Sequence, residues 1–381
     1  MKAAYSLFAA SFYATALITS SSVGATEALS IRGFASAGFV TGDNQFEYTS
    51  ASNTINESAT FGADNTIGLH INAQVNDKVE FTSQLLAKGT ADAYNLGAHW
   101  GYLAYSVSPS FTFRAGRLVL PIAAMSEYID VGYAMPWVRA PAEVYSASMV
   151  NNYSGFDLLY TLPLKDMQLT VQPFIGSLPK ASISGVDAAA KQGAGLSTAL
   201  HFDQGSINAS YIDVSDMEIT YLGQDLSVGI TFISLGTRLE LNNVLFMAEY
   251  VKRRSARGNG SPETTVEAWY TTLGYHIGKF SPHLTFAKGE PDSQQRVLPA
   301  GTPVPTPLGP MPLPEAMIVD PAPFSYAQES ITLGLRYDMF SKVAFKLEAQ
   351  EIKPTGNSWG LFAKDPGDKA NLVSFAVNVM F

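Results

Sequence analysis

Residues 66–88 alternate apolar and polar side chains with a period of two on both sides of a short polar turn. Ile67, Leu69, Ile71, Ala73 and Val75 share one side, and Gly68, His70, Asn72 and Gln74 the other. After Asn76-Asp77-Lys78 the pattern resumes, with Val79, Phe81, Leu85 and Ala87 opposite Glu80, Thr82, Gln84 and Lys88. Successive side chains of a strand point to opposite faces, so each stretch reads as a strand with one apolar and one polar face. Roughly ten residues of this kind suit a wall that meets lipid on one side and water on the other.

The pattern recurs in Leu196, Thr198, Leu200 and Phe202, in Val244, Phe246, Ala248 and Tyr250, and in Trp269, Thr271, Leu273, Tyr275 and Ile277. Ile331, Leu333, Leu335 and Tyr337 repeat it, as do Val343, Phe345, Leu347 and Ala349. With further matches near 29–41, 95–106, 111–117, 155–162, 168–177, 205–213, 227–240, 281–288 and 370–381, the chain carries about sixteen such strands. Short connections are expected at 76–78, 107–110, 163–167, 203–204, 241–243, 278–280 and 339–341. Long ones are expected at 42–65, 89–94, 118–154, 178–192, 214–226, 253–266, 289–326 and 353–369. Short and long connections alternate in membrane barrels, whose two rims differ in this way. The expected fold is therefore all-β, a transmembrane antiparallel barrel, since only a closed sheet pairs every backbone group in lipid. Pro173 falls inside an expected strand and is read as a bulge or a strand end.

The first 25 residues contain Lys2, the apolar stretch Ala3–Ile18 and the small residues Val23-Gly24-Ala25. This reads as a signal peptide over 1–25 with the barrel domain at 26–381, a retained membrane anchor being the competing reading. Export would remove one of 24 basic residues and no acid, leaving 23 against 33 and a net charge of −10. That balance argues against nucleic acid as a partner, because phosphate binding requires a basic patch. The chain has no cysteine, which excludes disulfides, thiolate metal sites and a Cys nucleophile.

The last strand ends Phe375, Val377, Val379, Phe381 on one parity. This resembles the C-terminal signature of outer-membrane barrels that the barrel-assembly machinery reads. Gly116-Arg117-Leu118-Val119-Leu120-Pro121 resembles the strand exit into the pore-narrowing loop of Gram-negative outer-membrane porins, a superfamily that includes general and phosphate-selective members. The resemblance implies sixteen strands, a homotrimer in the outer membrane and a constriction loop at 118–154. The Pro-Glu-Phe-Gly-Gly-Asp motif of enterobacterial general porins is absent, and no subfamily is assigned.

Within 118–154, Glu127, Asp130, Arg139 and Glu143 are the candidate constriction charges, with Trp137, Tyr128 and Tyr133 as bulk. An ordered extracellular cap or trimer contact is the other reading of this loop. Arg32, Arg114, Arg117, Arg336 and Lys346 are the basic candidates for the pore wall, where charge at the narrowest point sets selectivity. Lys252, Arg253, Arg254 and Arg257 form a basic run that could bind lipopolysaccharide phosphates or simply be solvated. The Pro-rich connection 289–326 reads as a stiff extracellular excursion.

The five histidines lack metal-ligand spacing, and no nucleophile elbow, phosphate loop or dinucleotide fingerprint occurs, so no cofactor and no enzyme activity is expected. The expected function is passive diffusion of small polar solutes through a water-filled channel. A substrate-selective channel, with anion preference from the basic residues, is the runner-up. A non-conducting adhesin or structural barrel, and an outer-membrane phospholipase, are the remaining alternatives.

Overall fold

A computed structural model of the protein describes residues 29–43, 47–50, 53–55, 59–89, 94–148, 150–183, 186–221, 224–257, 264–292, 296–298, 301–304, 311–312, 317–319, 326–356 and 358–381. The expected signal peptide lies outside these residues, as does most of the Pro-rich connection. The barrel strands are β1 (Leu29–Gly42), β2 (Thr66–Asn76), β3 (Val79–Gly89), β4 (Tyr94–Ser108), β5 (Phe111–Val119), β6 (Asn152–Leu164), β7 (Met167–Ile183) and β8 (Val186–Phe202). They continue as β9 (Gly205–Tyr221), β10 (Gln224–Leu241), β11 (Val244–Arg257), β12 (Thr264–Tyr275), β13 (Phe280–Pro291), β14 (Gln328–Phe340), β15 (Val343–Pro354) and β16 (Ala370–Met380). All sixteen pair antiparallel with their chain neighbours, and β1 closes the ring on β16 through pairs such as Phe39↔Phe375.

Closure leaves the wall without an edge, so its outer face can meet lipid with every strand paired. The outer parity carries the exposed apolar side chains, among them Ile67, Phe81, Leu103, Phe113, Ile175, Leu235, Leu273, Leu333 and Phe375. The opposite parity carries buried polar ones, including Gln84, Arg114, Asp157, Glu249, Thr272, His283, Lys346, Glu348 and Asn378. Two-residue turns join strands at one rim, and in two of them Lys165 (φ 54) and Asn242 (φ 58) take the left-handed conformation.

Two of the expected long connections are corrected. Residues 178–192 and 214–226 are mostly strand, and β7 to β10 run for 17, 17, 17 and 18 residues. A crossing strand needs about 9–11 residues, so these rise about 20 Å beyond one membrane boundary. Over that rise the outer face becomes polar, with Lys180, Lys191, Asp213, Asp216 and Glu218 exposed. The inner face becomes apolar, with Leu178, Ala188, Val214, Met217, Ile219 and Val228 buried. A bulge between Val214 and Met217, where Asp216 takes φ 56, keeps Met217 and Ile219 on the inner side.

Pro173 is likewise neither bulged nor terminal. The β6–β7 register passes from Asp157↔Phe174 to Tyr160↔Val171 without a shift, with Pro173 facing outward. Within the Pro-rich connection, two short antiparallel ladders pair Arg296–Leu298 with Met317–Val319 and Pro303–Val304 with Met311–Pro312.

Candidate functional site

Between β5 and β6 the chain leaves the wall for residues 120–151 and forms little regular structure, a 3-10 turn at Gly132–Ala134 and one helical turn at Ala142–Tyr145. An irregular backbone that is buried must still satisfy its N–H and C=O groups. Here wall side chains of the inner parity do so. Glu249 on β11 accepts from the Ala124 amide at 2.6 Å and from the Tyr145 hydroxyl at 2.9 Å. Glu348 on β15 accepts from the Val138 amide at 2.8 Å. On β14, Arg336 donates to the carbonyls of Tyr133 at 2.6 Å and Met135 at 2.9 Å. Lys346 on β15 donates to those of Gly132 and Trp137, both at 2.6 Å.

Apolar packing supplies the rest of the attachment. Trp137, 1% exposed, stands edge-on to Tyr270 and donates its indole N–H to Thr285 at 2.9 Å and Thr272 at 3.2 Å. Leu120, Ile122, Met125, Val144 and Val150 share one buried cluster with Phe174, Ile212, Phe232, Met247 and Val251 of the wall. Gly132 lies where a Cβ would come within 2.6 Å of Ser36 and Asn378, so no larger residue fits against β1 and β16 without displacement.

The four expected constriction charges occupy separate positions along this segment. Glu127 stands 3.9 Å from Arg114. Burial pushes its carboxyl up, and Arg114 offsets this only in part. Asp130 pairs with Lys88 on β3 at 2.5 Å and with His99 on β4 at 3.3 Å. Burial acts to raise its carboxyl, but Lys88 and His99 outweigh burial and hold it below the ordinary value. Arg139 pairs with Asp64 at 2.6 Å and also donates to Ser374 on β16. Glu143 is fully buried and accepts from Gln328 at 2.8 Å, and burial raises its carboxyl against that hydrogen bond.

The expected basic wall residues divide into three groups. Arg114, Arg336 and Lys346 face inward, but each is at most 7% exposed and is engaged by the segment or a neighbouring acid. Arg114 makes a bidentate pair with Asp157 at 2.6 and 2.8 Å and lies over the Tyr102 ring. Arg32 shares the inner parity of His70 and is exposed. Arg117 is exposed on the outer parity, opposite Gly101 and Ser154. The run at 252–254 also splits. Lys252 pairs with Glu267 at 2.5 Å and Arg254 is exposed, while Arg253 turns inward to the Ala147 carbonyl at 3.1 Å. Arg257 is the last residue of β11.

Three partners escape a reading of the sequence. Asp64 lies in the connection between β1 and β2, where no periodicity marks it. Asp157 meets Arg114 only through a register set after the 120–151 excursion returns. His99 is turned inward by a bulge, since Gln84 pairs with Trp100 and Leu85 with Ala98.

No protein-family model and no curated protein matches the sequence. Among solved structures, the chain is similar to the outer membrane channel DcaP of Acinetobacter baumannii, at 14% identity and a TM-score of 0.56 over 93% of this chain and 97% of that one. It is also similar to an anion-selective porin from Comamonas acidovorans, at 12% identity and a TM-score of 0.56 over 93% and 99%. A third is the outer-membrane protein OmpT of Vibrio cholerae, at 10% identity and a TM-score of 0.55 over 94% and 100%. The chain has the fold of the sixteen-stranded outer-membrane porins.

Proposed function

We propose that the protein is an outer-membrane porin of a Gram-negative bacterium, a water-filled channel for passive diffusion of small hydrophilic solutes and ions. In this reading the barrel is a homotrimer subunit, exported by the signal at 1–25 and placed by the barrel-assembly machinery among lipopolysaccharide and other outer-membrane lipids. Residues 120–151 lie across the lumen and narrow it.

One observation carries the reading. A single connection bonds to inner-parity side chains of β3, β5, β11, β12, β13, β14, β15 and β16, which together span most of the circumference. A sixteen-stranded barrel is too wide for its own side chains to fill, so a segment of this length sets the bore. The anion-selective alternative draws less support, since Arg114, Arg139, Arg336 and Lys346 are buried in partnerships and Arg117 is on the outer parity.

The test is conductance of the purified, refolded protein in planar bilayers. Stepwise ohmic insertions are expected. Folded protein that inserts without conducting would sink the channel reading in favour of an adhesin or structural barrel.

A further inference from the structure

Two connections at the rim opposite the short turns fold back over segment 120–151. In the β1–β2 connection, Tyr48–Ser50 pairs antiparallel with Asn53–Ile55. Residues 361–363 of the β15–β16 connection add a third strand, with Phe362 opposite Tyr48. The Thr49 amide donates to the Leu361 carbonyl at 3.0 Å, and the Ala363 amide to that of Glu47 at 2.8 Å. The Tyr48 and Phe362 rings lie 4.7 Å apart. With Ile55 and Ala63 they form one buried cluster that reaches the wall at Val40, Ile352 and Leu372, and the segment at Ala142 in its helical turn.

The two sides of this small sheet are held differently. Toward β1 the backbone holds it, since Val40 and Thr60 exchange both bonds at 3.0 and 2.9 Å. The Asn65 side chain adds a bond from the Gly38 amide at 2.9 Å. Toward segment 120–151, among the described residues, no backbone-to-backbone hydrogen bond makes the connection. Side chains make it, and Gln328, buried at the start of β14, is their junction. Its amide nitrogen donates to Glu143 Oε1 at 2.8 Å and to the Tyr48 hydroxyl at 3.1 Å. Its oxygen accepts from the Leu361 amide at 2.9 Å. An amide suits this place because it donates twice and accepts without carrying charge. The Arg139–Asp64 pair is the second link. A sheet hinged on backbone at one side and fastened by side chains at the other can lift as a unit and leave the wall intact.

We infer that strands Tyr48–Ser50 and Asn53–Ile55, together with residues 361–363, form a hinged lid over the helical turn 142–145, latched by Gln328, and that lifting the lid widens the outer mouth. The widening rests on the channel reading above, whereas the lid and its latch rest on the contacts alone.

The test uses the full-length, refolded protein. The chain has no cysteine, so Ala142→Cys places a single thiol beneath the lid at a buried site. Its rate of labelling by a small neutral thiol reagent reports how often the lid lifts. Gln328→Met, similar in size and without the amide, should raise that rate about tenfold, the factor that losing ~1.4 kcal/mol of hydrogen bonding produces. Tyr48→Phe loses one hydroxyl bond and should raise it about threefold, which decides the matter if Gln328→Met does not refold. Ala199→Cys, buried in β8 on the far side of the barrel, should label at one rate in every background. In planar bilayers Gln328→Met should add openings to a higher conductance level. An Ala142→Cys rate that neither substitution changes, or an equal rise at Ala199→Cys, would overturn the lid. Faster labelling with unaltered conductance would overturn the widening. A folded wild type that does not conduct would remove the channel reading, and the labelling rates would still decide the lid.

Discussion

Arg139→Met isolates one buried ion pair and shows how firmly 120–151 is joined to the wall. The guanidinium and the Asp64 carboxylate are 2.6 Å apart, with side chains 7% and 4% exposed. Asp64 belongs to the β1–β2 connection, so the pair links two excursions that are far apart in sequence. Taking the arginine away leaves a carboxylate buried without its cation. Breaking a buried pair in this way costs about 3–5 kcal/mol, well above the ~0–1 kcal/mol of an exposed pair. Asp64→Asn in the same chain removes the stranded charge and leaves a neutral amide, whose burial costs about 1–3 kcal/mol. The double variant should therefore regain roughly 2 kcal/mol relative to Arg139→Met alone.

The assay is reversible urea unfolding in detergent micelles, followed by tryptophan fluorescence, for wild type, both single variants and the double. Non-additivity measures the coupling, because each single variant removes the same contact. A cost below about 1 kcal/mol for Arg139→Met, or simple additivity, would refute a buried pair and with it the attachment of this stretch near β1 and β16.

Further outcomes follow from neighbouring groups. Burial raises the Glu143 carboxyl in the folded protein, so folding takes up a proton there. That group then lowers stability as pH rises above about 4.3, its ordinary value, through its raised folded value. Glu143→Gln should flatten the dependence of melting temperature on pH in that window, and an unchanged profile would count against the assignment. Trp137→Phe keeps the ring but loses the bonds to Thr272 and Thr285, which still bond each other at 2.7 Å. A loss of about 1 kcal/mol in urea unfolding is expected, with no large change in conductance. Ile219→Asp puts a charge on the buried inner face of the raised wall and should cost more than about 3 kcal/mol, whereas Glu218→Lys on the exposed outer face should stay within about 0.5 kcal/mol. Equal effects of the two would contradict the reversal of polarity on β9.

That reversal also explains what the sequence concealed. In β2 and β3 the alternation has its apolar parity outward for the whole strand, and both strands are readable to within a residue or two. In β9 the outward parity is apolar at Ile207 and Tyr211 but polar at Asp213 and Ser215, while the inward parity turns apolar at Ile212 and Val214. A search for apolar residues on one constant parity stops at the crossover, and residues 214–226 then read as loop. The split of Lys252, Arg253 and Arg254 was within reach, because Arg253 shares the parity of Glu249. Arg114 was identifiable as an inward base, but its partner depends on the β5–β6 register Arg114↔Asp157 across the intervening excursion. Local patterns carry no information on such a pairing.

The charges on the inner wall also acquire a division of labour that their types explain. A carboxylate only accepts and an ammonium or guanidinium only donates. Segment 120–151 makes local turn-type backbone bonds, such as Tyr128 N–H to the Met125 carbonyl, but forms no continuous ladder, and it turns amides at Ala124 and Val138 and carbonyls at Tyr133 and Met135 to the wall. The acids Glu249 and Glu348 take the amides of Ala124 and Val138. The bases Arg336 and Lys346 take the carbonyls of Gly132, Tyr133, Met135 and Trp137. Charged acceptors and donors are suited to this because each such bond is about twice as strong as a neutral one, which compensates for the missing helix or sheet. A side chain committed in this way has its donor or acceptor atoms taken up by the segment. The wall charges most visible in the sequence, Glu249, Glu348, Arg336 and Lys346, are therefore fasteners of the segment.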